Sequence, residues 1–193
     1  MKTWIRLAQG IAVAVLAFSP VMAHPGHGPA TFLTGLSHPF TGLDHMLAMV
    51  AVGLLAAKRG ELALWLWPAT FLMAMLVGYG LGVGQGGSAA LQPAILASVI
   101  ALGALTAARL DVPVSAGVAL IAACGLAHGF AHGLEAPRSA GLGFPFGFAL
   151  ATLSLHVAGL GLGCGLMALH RPKLVRALGG GVVLGGLLLV IAG

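Results

Sequence analysis

Two short groups of residues in this chain have the side chains to do chemistry: His38, Asp44 and His45 in one, His128, His132 and Glu135 in the other. The chain has only four acidic residues, and Asp44 and Glu135 are two of them. Both groups sit at the edges of long apolar runs. An ionisable side chain near a membrane interior is costly enough to be a functional candidate by default. Imidazole beside carboxylate is a ligand set for a divalent transition metal. The residue types therefore point to a membrane protein that handles a metal ion.

Spacing sharpens this reading. His128, His132 and Glu135 stand at i, i+4 and i+7. At about 100° per residue they project within a narrow sector of one helix face. Two imidazoles one turn apart can hold one ion, and the carboxylate can add an oxygen ligand or steer an imidazole. Pro137 follows and should stop the helix, whose C-terminal end favours a cation. Cys124 lies four residues before His128, on the same face and one turn deeper, where it could serve as a soft ligand further along a path. In the first group His38 and His45 are seven apart and share a face if the segment is helical, with Pro39 suited to a first turn. Asp44 would offset the repulsion of a cation by a helix N-terminus. His156 stands alone near the middle of an apolar run. An inner relay ligand and a structural histidine bonded to a neighbouring helix are both open for it. His24 and His27 could capture an ion at the surface.

The elements that must position these groups are membrane helices. Only 7% of residues are charged and the mean hydropathy is +1.05. A soluble domain carries roughly 25% charged residues, so this chain could not coat a soluble surface. The expected fold is all-α and polytopic, with six transmembrane helices after a cleavable signal peptide. Lys2 and Arg6, the apolar stretch Ile11 to Phe18 and the small residues Val21-Met22-Ala23 match a secretory leader over residues 1–23. The remainder, 24–193, reads as one membrane domain. Six apolar runs at 40–57, 63–83, 89–108, 112–131, 145–168 and 174–193 are each near the roughly 20 residues a helical span requires. Breaks between them carry turn residues and charges, as at Lys58-Arg59-Gly60-Glu61 and His170-Arg171-Pro172-Lys173. Glycines alternate from Gly78 to Gly84, and Gly159/Gly163, Gly161/Gly165 and Gly181/Gly185 form small-xxx-small pairs, all read as packing.

Charge sets the orientation. With residue 24 outside, the inner loops hold Lys58, Arg59, Arg109, Arg171, Lys173 and Arg176, and the outer loops hold only Arg138. That is the positive-inside pattern. Glu61 and Asp111 fall in the inner loops as solvated charges. The first helix then starts, and the fourth ends, on the outer side, so both histidine groups face the same side. The net charge of +5 sets topology rather than marking a nucleic-acid surface. No phosphate-binding loop, nucleophile–base pair or cofactor motif is visible, so neither an enzyme nor a resident cofactor is expected. Cys124 and Cys164 both lie deep in apolar runs and suggest no disulfide framework.

The stretch His38-Pro39-Phe40-Thr41-Gly42-Leu43-Asp44-His45 resembles the signature of the HupE/UreJ family. The later stretch from Gly125 to Pro137, with His128, His132 and Glu135, is similar to that family's second histidine motif. The leader, the histidine-bearing start and the six runs fit as well. The resemblance implies a small bacterial inner-membrane protein, its mature N-terminus periplasmic, associated with hydrogenase or urease systems and importing Ni²⁺ or Co²⁺. The cation is then substrate, captured by His38, Asp44, His45, His128, His132 and Glu135 and passed inward past His156 and Cys124. The alternative is an accessory protein that hands nickel to hydrogenase or urease maturation. A bis-histidine haem protein and a copper or zinc permease are further rivals. Lipid is the expected surrounding, no nucleic acid is expected, and a homo-oligomer stays open.

Overall fold

The computed structural model describes residues 31–85, 91–136 and 141–192. The expected leader and the histidines at 24 and 27 lie outside the described residues. Those residues are helical, with no strand among them. A short helix α1 (Phe32–Ser37) and a 3-10 turn (His38–Phe40) precede α2 (Leu43–Arg59). Then come α3 (Ala63–Gly82), α4 (Gln92–Ala107), α5 (Val114–Glu135), α6 (Gly143–Ala168) and α7 (Pro172–Ala192).

The exterior of this bundle is apolar where a soluble protein's is polar. Leu33, Trp65, Val77, Phe146, Leu184 and Ile191 are exposed, while Asp44, His45, His128, His132, Thr152 and His156 are buried. An apolar exterior, with the few polar groups kept inside among apolar side chains, is what a lipid solvent selects. Four helices, α3, α5, α6 and α7, are long and apolar enough to cross a bilayer by themselves. The chain is a polytopic helical membrane protein.

Two of the six expected runs differ from a full straight span. The run expected at 40–57 begins instead at Leu43, and the segment before it bends away by 81°. The cause is local. The Thr41 backbone N–H and hydroxyl both donate to the His38 carbonyl, at 3.0 and 2.7 Å, closing the 3-10 turn. Gly42 then takes an extended conformation (φ −109°, ψ 120°) that ends it. His38 and His45 therefore do not share one helix face, contrary to expectation. The run expected at 89–108 yields α4, of 16 residues. At 1.5 Å per residue that is about 24 Å, short of a hydrocarbon core of roughly 30 Å.

Long polar side chains complete the ends of α4. Lys58 Nζ donates to the carbonyls of Leu105 and Ala108, both at 2.7 Å, and Arg176 Nε donates to Ala107 at 3.0 Å. Cations at carbonyls left open by a helix C-terminus are favourable by charge and by hydrogen bonding. At the other end Gln92 Nε2 donates to Asp44 Oδ2 at 3.1 Å. Arg59 meets the Val112 carbonyl and Asp111, at 3.2 and 3.3 Å, at the start of α5. Glu61 and Asp111 are exposed yet both pair with Arg59. One end of the bundle thus gathers the basic residues and the opposite end holds His38, His45 and His132.

Glycine lets the backbones approach. A Cβ on Gly78 or Gly82 would run into α5 backbone, and one on Gly159 would run into the Val50 carbonyl of α2. Gly80, Gly161, Gly165 and Gly181 would meet nothing within 4 Å, so only part of the expected glycine pattern packs.

Candidate metal centre

The centre is built from three elements that sequence separates widely. His38 comes from the 3-10 turn, His45 from the first turn of α2 and His132 from the last turn of α5. One ring nitrogen from each lies within 4.8 Å of the others. His45 and His132 are buried and His38 is half-buried, so the cluster faces outward through His38. The bend before α2 is what turns His38 back over the other two. Nitrogens about 2.1 Å from a common ion stand about 3.0–3.4 Å apart, so this spacing is close to a ligand set.

A single direction of hydrogen bonding accounts for the cluster. Asp44 Oδ1 is 2.5 Å from His45 Nδ1, so His45 donates there and its Nε2 is left as an acceptor. His132 Nε2 then donates to His45 Nε2. That leaves His132 Nδ1 to accept from His38 Nε2, at 3.0 Å. These tautomers are assigned from the network. An anionic anchor behind an imidazole is the outer-shell arrangement that orients metal-ligating histidines and raises their basicity. Asp44 is itself fully used: Oδ1 also accepts the His45 backbone N–H at 2.8 Å and Oδ2 accepts from Gln92. A Cβ at Gly42 would stand 2.7 Å from Asp44 Oδ1 and 2.9 Å from His45 Nδ1, so only glycine leaves that pair its room.

Asp44 thus stands behind the cluster rather than among its nitrogens. Replacing it with asparagine keeps the shape and removes the charge. Asp44→Asn is expected to weaken cobalt binding about 10–100-fold, the usual cost of losing such a partner. Titration of the purified variant with Co²⁺ would show it, and wild-type affinity would deny Asp44 that role.

Glu135, expected among the ligands, lies at the rim. Its side chain is 68% exposed and Oε2 stands 3.8 Å from His132 Nδ1. It is the last residue of α5, and three residues from His132 it is rotated about 60° off that side chain's direction. There it can draw cations to the mouth. Glu135→Gln is expected to weaken Co²⁺ binding about five-fold, since even a pair of unit charges near 4 Å is worth about 1 kcal/mol in water and the exposed carboxylate stands further than that from the cluster's centre. Titration of the purified variant would show it, and a loss of about 100-fold instead would place the carboxylate among the ligands.

His128 lies one turn deeper on α5. Its ring centroid is 5.5 Å from that of His45, and its Nδ1 donates to the Cys124 carbonyl at 2.9 Å. Cys124 takes part through this carbonyl. His156 is buried on α6 and donates from Nδ1 to the Met49 carbonyl at 2.8 Å. Aromatic rings wall the cluster. Phe148 lies 4.7 Å from His132 and 5.8 Å from His38, and Phe144 lies 5.6 Å from His38.

Sequence reasoning passed over several of these parts. Helix α1, set by a reciprocal Thr31–Thr34 capping box, packs on α6, where a Cβ on Gly147 would run into the Phe32 carbonyl. Gln92 was also missed; its only signal is an amide at the start of an apolar run.

A bundle of membrane-length helices with a buried histidine cluster at one end defines a class of polytopic membrane protein. The chain belongs to the HupE/UreJ family, whose profile, described as HupE / UreJ protein, matches residues 12–189. It is 38% identical over 182 residues to Protein HupE of Rhizobium leguminosarum bv. viciae, covering 93% of this chain and 95% of that protein. No solved structure matches it significantly.

Proposed function

We propose that this protein is a permease that carries divalent nickel or cobalt across the bacterial inner membrane. The observation that carries the reading is the cluster of His38, His45 and His132, anchored by Asp44, inside a largely apolar bundle. Three imidazoles suit a borderline divalent transition metal better than a hard cation. A site of few ligands, open at one side, can both take and release an ion, as conduction requires. Family membership supports nickel, because the HupE/UreJ family is linked to nickel handling for hydrogenase and urease.

The bent first segment and the short α4 are read as spans, giving six with the four long helices. The paired ends support this. Lys58 with Leu105 and Arg59 with Val112 mark one side, and His38 with His132 and Asp44 with Gln92 mark the other. With the basic end inside, the cluster faces the periplasm. Residues 1–23 are read as a removed leader, which puts the mature N-terminus on that same side. The ion is cargo and no resident cofactor is invoked.

Purified protein in proteoliposomes should accumulate radioactive nickel or cobalt above protein-free vesicles. Tight binding without accumulation would instead assign the accessory role of handing metal to a maturation system.

A further inference from the structure

We propose that His128 and His156 form a second, inner station for the divalent cation, deeper in the bundle than the outer cluster and packed against Phe71. The inference rests on the permease reading and names the next step of the path.

Three observations carry it. First, the two imidazoles are wholly buried, at 0% and 1% exposure. A buried histidine with no task should have both ring nitrogens satisfied or be replaced by an apolar residue. Second, each Nδ1 lies against a backbone carbonyl, Cys124 for His128 and Met49 for His156. A carbonyl can only accept, so each Nδ1 carries the proton and each Nε2 presents a lone pair. This is the arrangement found behind metal-ligating histidines, with the backbone fixing tautomer and ring orientation. Third, neither Nε2 has a partner. Among the described residues the buried side-chain N and O atoms lacking one are these two and Tyr79 Oη. Each Nε2 holds a buried lone pair of the same kind, left without a hydrogen-bond donor and so free to meet a cation.

Both rings pack on Phe71, His128 at 5.5 Å and His156 at 5.1 Å between centroids. Four helices converge here, with Phe71 from α3, Met49 from α2, His128 from α5 and His156 from α6. Upward, His128 is 5.5 Å from His45, centroid to centroid, and one helical turn, about 6 Å, from His132. The step from the outer cluster to His128 is thus within reach of ligand exchange, and Phe71, which touches both inner rings, links His128 to His156. The thiol of Cys124 is not needed, since its carbonyl holds His128.

The test uses the full chain in detergent and Co²⁺ as the probe. His128→Cys and His156→Cys should each gain a near-ultraviolet thiolate-to-cobalt charge-transfer band over the wild type, whose own cysteines set the baseline. The visible cobalt absorption of the outer cluster should persist, which shows that the fold is intact. Absence of the new band in His156→Cys, with the visible absorption retained, overturns the inner station whether or not the protein transports. In proteoliposomes, His156→Gln should keep outer-cluster binding and slow uptake about ten-fold or more, the lower bound for losing even an outer-shell partner. Wild-type uptake by that variant would equally overturn it. Failure of the wild-type protein itself to accumulate metal sinks the permease reading instead, so the two failures are distinct.

Discussion

Replacing His132 with alanine is expected to reduce nickel or cobalt uptake to the level of protein-free vesicles. His132 is the middle member of the cluster, with one ring nitrogen meeting His38 and the other meeting His45. Its loss leaves two imidazoles from the 3-10 turn and α2 with nothing from α5 between them. Losing an outer-shell partner costs a metal site about 10–100-fold, so losing a central ligand should cost at least about 100-fold. The substitution also removes ring contacts with Phe148 and His38, at 4.7 and 4.5 Å. That packing loss should be about 1–3 kcal/mol, as for most buried substitutions. A fold of many packed helices tolerates it, whereas the site does not tolerate the missing ligand. The variant should therefore purify as a monodisperse helical protein that has lost the visible Co²⁺ absorption of the outer cluster. His38→Ala should do less harm, because His38 is half-buried and joins the cluster through one nitrogen. Normal uptake by His132→Ala would remove the cluster from the transport path.

The chemistry of the site was legible in the sequence because residue types carry it. Histidine and carboxylate are rare here and stand out against an apolar background. The long spans were legible too, since hydropathy and basic loops are local signals. The bend before α2 was hidden because apolar residues lie on both sides of it, and Pro39 suits a helix start as well as a 3-10 turn. Only the Gly42 conformation decides between them. The division of labour between His128 and His132 could not be read either. They share a helix face one turn apart, and which joins the outer cluster depends on where α2 places His45. Glu135 misled for a related reason. Its spacing fits the face, but it is the terminal residue of α5, where the chain faces solvent. Finally, Gly125, Gly129 and Gly133 passed unnoticed as a packing stripe because they sit between the histidines of a motif.

That stripe carries the other large expected effect. Gly129→Val should destabilise the protein by about 3 kcal/mol or more, at the upper end of the cost of overpacking. A Cβ on Gly129 would fall on the Met75 carbonyl, and its nearest neighbours are all backbone atoms of Met75. Gly125 and Gly133 abut the Phe71 and Tyr79 carbonyls in the same way, and Gly78 and Gly82 answer them from α3. A flexible side chain could swing aside, but a helix backbone cannot, so α3 and α5 must move apart along the most extensive helix pair of the bundle. In lipid such pairs are held by close packing rather than by exclusion of water, so added separation is not recovered elsewhere. The shift would carry His128 and His132, which flank Gly129 on the same helix, away from His156 and His45. Stability and metal binding should therefore fall together. Gly161→Val is the matched control, because a Cβ there would meet nothing within 4 Å. Thermal unfolding in detergent should place Gly129→Val well below the wild type and Gly161→Val beside it. Equal melting of the two variants would mean that the glycine stripe does not set the distance between α3 and α5.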